Sequence, residues 1–107
     1  MNEEKEETHI AIFNGNTIRR KLVNNAWFFS VVDIIGILTE SEDPNDYWYR
    51  LKKRESETSE TQLSTFCRQL KLKSSDEKEY ETDCADTEGI FRIIHSISYQ
   101  PAFNPIL

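Results

Sequence analysis

Glycine and proline are scarce in this chain, three of each among 107 residues, and cysteine is scarcer still, with two. So few glycines leave no glycine-rich loop to cradle a phosphate. Cys67 and Cys84 have neither the spacing of a metal-binding pair nor the number for a disulfide framework. They read as small buried hydrophobes in a reducing, cytoplasmic setting. No apolar run reaches the roughly 18 residues of a membrane helix, so no membrane partner is expected. The acidic N-terminus also lacks the apolar stretch of a signal peptide. Histidine occurs twice, at His9 and His95, far apart in sequence. No serine stands in a nucleophile elbow. With these absences no catalytic residue, metal or cofactor is assigned, and the chain is expected not to be an enzyme.

What is abundant is charge. Acids outnumber bases, 19 to 13, for a formal net charge of −6. That balance argues against a generic polyanion binder, but the charges are segregated. The acids gather in residues 2–8, 40–46, 55–60 and 76–88, and ten of the thirteen cations fall into three clusters. These are Arg19-Arg20-Lys21, then Arg50 with Lys52-Lys53-Arg54, then Arg68 with Lys71 and Lys73. A basic face on an acidic protein is compatible with this distribution.

The hydrophobic organiser is Trp27 to Leu38, WFFSVVDIIGIL. Trp27 to Phe29 reads as a short strand. Ser30 reads as a helix N-cap with Asp33 three residues on. Val31, Ile34, Ile35 and Leu38 then lie on one helical face. Ahead of it, residues 1–8 form an acidic tail expected to be disordered. Ile10 and Ile12 alternate before an Asn14-Gly15 turn, and Thr17 to Val23 alternates before an Asn24-Asn25 turn. The expectation is a three-stranded meander running into the Ser30 helix. A second helix starts at Asp43-Pro44 and runs to about Arg54, with Tyr47, Trp48 and Leu51 inward and Arg50, Lys53 and Arg54 outward. Leu63, Phe66, Cys67 and Leu70 have the spacing of a third helix. From Leu70 the period shifts to two, with Lys71 and Lys73 outward, and Glu79 to Thr82 is the expected partner strand. A last helix begins near Asp86 or Thr87. The fold class expected is α+β: a single domain over 9–107, an antiparallel β-meander plus a second β-hairpin, packed with about four α-helices.

The helix YWYRLKKR combines cations with aromatic side chains, a composition suited to tracking phosphates and fixing register. Arg19 with Lys21, and Lys71 with Lys73, are basic strand faces able to lie beside it. On spacing alone, each cluster is as well explained as a solvated face paired with nearby acids. The acidic series Glu77, Glu79, Glu81, Asp83, Asp86 and Glu88 suggests a metal site, and a metal-dependent nuclease using Asp83, Asp86 and Glu88 is the enzyme rival. A charged strand edge that discourages pairing explains it more simply.

Four blocks in order, FFSVVDII, DYWYRLKKR, RQLKL and TDCADTEGIFRIIHSI, resemble the N-terminal domain of the Bro family, the baculovirus repeated-ORF domain. That domain also occurs in phage antirepressors and in DNA-damage-inducible D-type proteins. The match spans about Ile10 to Ser98. The resemblance implies a non-catalytic domain of a phage or prophage transcription regulator that binds double-stranded DNA. Carried over position by position, it makes Arg50, Lys52, Lys53, Arg54, Arg68, Lys71 and Lys73 candidate contacts. Arg19 and Lys21 join them from the strand reading. A repressor protein and a second copy of the chain are the further partners considered. The rival from a different class is a protein-interaction module that sequesters a repressor without touching DNA. Two departures stand out. Asn24-Asn25-Ala26 replaces the family's Asn-Gly or Asp-Gly turn. YQPAFNPIL also reaches Leu107 where the family continues into a further helix with a tryptophan, so a C-terminally shortened domain is expected.

Overall fold

The structure, a computed structural model, describes residues 7–58 and 63–98. The expected acidic tail to residue 6 and the segment after Ser98 lie outside these residues. The element order is β1 (His9–Phe13), β2 (Asn16–Val23), β3 (Ala26–Ser30), α1 (Val31–Thr39), α2 (Pro44–Thr58), a 3₁₀ turn (Leu63–Phe66), β4 (Arg68–Lys73), β5 (Glu79–Ala85) and α3 (Thr87–Ser98). The strands form one antiparallel sheet in the order β1-β2-β3-β5-β4. The fold is therefore α+β, as expected.

The meander is set by its turns. Asn14 and Gly15 have φ of 51° and 78°, and Asn24 and Asn25 have 51° and 67°. Left-handed φ at both central residues gives the two-residue turn whose twist matches the flanking strands. Asparagine is among the few L-residues that adopt this conformation readily, so Asn25 does the work a glycine would do. Ser30 then caps α1, its Oγ accepting from the Asp33 N–H at 3.4 Å. At the other end Glu40 turns left-handed and its N–H returns to the Gly36 carbonyl. Asp43 caps α2 through the Asp46 N–H at 3.1 Å, ahead of Pro44, which has no N–H to satisfy. Asp86 caps α3 through Gly89 at 3.0 Å. A Cβ at Gly89 would stand 2.9 Å from the Phe66 carbonyl oxygen, so only glycine lets α3 start this close to the 3₁₀ turn.

One sheet face and the helices share the main core. Phe29 and Ala85, opposite each other in the β3–β5 register, meet Val31 and Ile35 of α1, Trp48 and Leu51 of α2, and Ile90 and Ile93 of α3. The other face carries Ser30, Cys84 and Leu72, all fully buried. This second burial arises because the sheet curls. β3 and β5 pair only through Phe29↔Ala85 and Ser30↔Cys84, and β4 then swings back toward β2. Lys21 Nζ donates to the Lys71 carbonyl at 2.7 Å and Arg19 Nη1 to the Lys73 carbonyl at 3.2 Å. The Lys73 N–H meets Thr8 Oγ1 at 3.0 Å.

Two expectations change. The strands are joined into one sheet rather than two groups. The expected third helix is a 3₁₀ turn of four residues, leaving three α-helices among the described residues. Cys67 N–H closes the turn on the Ser64 carbonyl, and Arg68 is already paired with Cys84. A helix nucleus is costly and needs length to recover it. Here the ladder from Arg68 onward gives each residue a register partner, with hydrogen bonds at alternate positions, so tertiary pairing overrides the local period.

Candidate nucleic-acid interface

Asp83 joins the basic helix to the basic strand. It sits on β5 beneath α2, with its side chain 16% exposed. Trp48 Nε1 donates to its Oδ2 at 2.8 Å, Lys52 Nζ to the same oxygen at 3.0 Å, and Gln69 Nε2 of β4 to Oδ1 at 3.2 Å. Burial pushes the Asp83 pKa up. The hydrogen bonds from Trp48, Lys52 and Gln69 and the Lys52 charge together outweigh it and hold the carboxyl below its usual range. Lys52 also lies 5.1 Å over the Trp48 ring. The carboxylate thus fixes both the axial position and the rotation of α2 against the hairpin. Successive residues of a strand alternate faces, so Lys71 and Lys73 follow Gln69 on the same side of β4.

With Trp48 and Leu51 buried, the helix turns Tyr49, Arg50 and Lys53 outward. Arg50 pairs with Asp46 one turn away at 2.9 Å, with both side chains largely exposed. Such pairs are weakly held in water and free to exchange for a phosphate. Arg54 is half-buried, and its charge and that of Arg50 pull down a Tyr47 pKa that burial raises. Lys71 and Lys73 are exposed, and across the hairpin they face Glu81 and Glu79 in register. A groove of about 400 Å³ runs between α2 and the hairpin, with Tyr49 and Lys52 on one wall and Gln69 and Thr82 on the other.

The remaining cations are placed differently. Arg19 is 23% exposed and pairs with Asp33 of α1 at 2.9 Å, through Nε and its own backbone N–H to Oδ2 and through Nη2 to Oδ1. The hydrogen bond to Asp33 raises its pKa against the opposing effect of burial. Arg20 stacks 3.8 Å from the Trp27 ring centroid. Arg68 is exposed and lies 5.3 Å from the Phe28 ring centroid. Arg19 and Lys21 therefore line the β4 edge beside Lys71 and Lys73, with their terminal nitrogens on its carbonyls.

In sequence Asp83 stands as one acid of a charged strand edge, not as an anchor. The available signal was Trp48: an indole on the buried side of a helix needs an acceptor for its N–H. Asp86 is occupied in capping α3, and among the described residues no three His, Cys, Asp or Glu side chains gather as ion ligands. Burial pushes the thiols of Cys67 and Cys84 up to about 12. No helix among the described residues is long and apolar enough to cross a membrane. In comparisons with known proteins, no family model, no curated protein and no solved structure matches this chain.

Proposed function

We propose that this chain is a non-catalytic, Bro-type DNA-binding domain of a phage or prophage transcription regulator, acting in the cytoplasm on double-stranded DNA. The observation that supports it most is the Asp83 junction, which holds α2 and β4 as one unit with their exposed cations to the outside. Arg50 and Lys53 take phosphates from the helix, and Lys71 and Lys73 support them from the strand. Lys52 and Gln69 set the spacing between the two. Phosphate contacts of this kind give affinity and register, not sequence choice. Tyr49, 61% exposed beside the groove, is the side chain placed to reach further.

A second reading, a protein-interaction module that sequesters a repressor, is favoured by the exposed apolar residues Ile10, Ile12 and Phe13 and by the acidic balance. Fluorescence anisotropy against a mixed-sequence duplex across a salt series separates the two. The DNA reading predicts that log affinity falls linearly with log salt, with a slope of about −0.9 per phosphate contacted. Failure of the folded chain to bind at low salt would overturn it and leave the protein-interaction reading.

A further inference from the structure

The two edges of the sheet are unlike. At β4 three outward backbone groups are occupied: the Lys71 and Lys73 carbonyls by Lys21 and Arg19, and the Lys73 N–H by Thr8. Among the described residues β1 pairs with β2 alone. Its turn closes on Phe13↔Asn16, so Phe13, Ala11 and His9 exchange hydrogen bonds with β2. The N–H and C=O of Ile10 and Ile12 consequently point out of the sheet. The Ile10 and Ile12 side chains are 55% and 72% exposed. On the opposite face Phe13 and Leu38, also exposed, border an apolar hollow of about 320 Å³ floored by Ile18, Ile34 and Ile94.

We infer that β1 is the interface through which two copies of this chain associate, pairing edge to edge and antiparallel to continue the sheet across both. The strand is self-complementary under a two-fold axis through Ala11. Ile10 of one copy then stands opposite Ile12 of the other, and their outward N–H and C=O groups satisfy each other at both positions. Charge permits this despite a net charge of −6, because residues 9–18 contain no Asp, Glu, Lys or Arg. In the antiparallel arrangement Glu7 of one copy falls at the end opposite Glu7 of the other. An exposed apolar edge is otherwise a liability that charges or cover normally blunt. Among the described residues β4 has such cover at Lys71 and Lys73, and β1 has none.

Sedimentation of the full chain over about a hundredfold range of concentration tests this inference independently of DNA, since association makes oligomeric state depend on concentration. The expected result is a monomer–dimer equilibrium abolished by Ile12→Lys, and equally by Ile10→Lys, each with an unchanged circular dichroism spectrum. Register is tested by Ala11→Cys. Residues opposite each other at a non-hydrogen-bonded position lie about 4.5 Å apart at Cα, within disulfide reach. Under mild oxidation this variant is expected to cross-link into dimers where the unsubstituted chain does not. A chain that stays monomeric throughout, a dimer indifferent to both lysine variants, or an Ala11→Cys chain that fails to cross-link would each overturn the inference.

Discussion

Arg19 and Lys52 differ from Arg50 and Lys53 in what surrounds them, although all four belong to basic runs that look alike in sequence. Arg19 and Lys52 are part-buried, each on a carboxylate with further bonds, Asp33 for the first and Asp83 for the second. Arg50 and Lys53 are exposed. The first pair ties elements together: α1 to β2, and α2 to the hairpin. The second pair faces water. A basic run is thus divided by burial into cations that hold the fold and cations available to a ligand. Mutations should separate the two kinds by readout, stability for one and binding for the other.

The largest effect is expected at Asp33. Asp33→Ala removes the acceptor of the Arg19 backbone N–H, Nε and Nη2 and leaves a part-buried guanidinium uncompensated. The loss should be about 3 kcal/mol, read as the shift in urea-unfolding free energy. Asp83→Ala should cost about 2 kcal/mol, since it strands the Trp48 N–H and Lys52. It should also weaken DNA binding, because α2 loses its fixed position over β4. The double charge reversal Arg50→Glu with Lys53→Glu inverts the pattern. Stability should change by no more than about 0.5 kcal/mol, as expected of surface substitutions. DNA affinity should fall about tenfold or more, with a shallower salt slope in anisotropy titrations. If that double mutant binds DNA like the parent, α2 is not the contacting element. If it unfolds instead, the division drawn between the two kinds of cation is wrong.

Much of this was readable beforehand where local rules and burial agree. The Asn14-Gly15 turn, the Ser30 cap, the Pro44 start of α2 and the Lys71/Lys73 alternation each depend on a few neighbouring residues. The 3₁₀ turn at Leu63–Phe66 was not readable, because the competing strand pairing involves Cys84, sixteen residues beyond Arg68. The partners of Arg19 and Lys52 were hidden for the same reason: Asp33 lies fourteen residues away and Asp83 thirty-one. Cation clusters are visible in a sequence, whereas the carboxylate that claims one of their members is placed only by the tertiary fold. The candidate site was accordingly legible as a list of charges, not as the junction that aligns them.

The finest separation concerns proton linkage at Asp83. Its folded pKa lies below the ordinary carboxylate value, so its contribution to stability is present above the unfolded pKa of about 4. That contribution is lost progressively as pH falls from there through the folded pKa, when the protonated carboxyl no longer holds Lys52 as an ion pair. Asp83→Asn keeps an acceptor for Trp48 but removes both the charge and the titration. The variant should therefore be less stable than the parent at neutral pH, with the difference narrowing as pH drops below about 4. Urea titrations at a series of pH values measure this directly. A gap that stays constant with pH would mean that the charged Asp83 carboxylate draws no net stabilisation from Trp48, Lys52 and Gln69 together. The contrast between structural and exposed cations would then rest on Arg19 and Asp33 only.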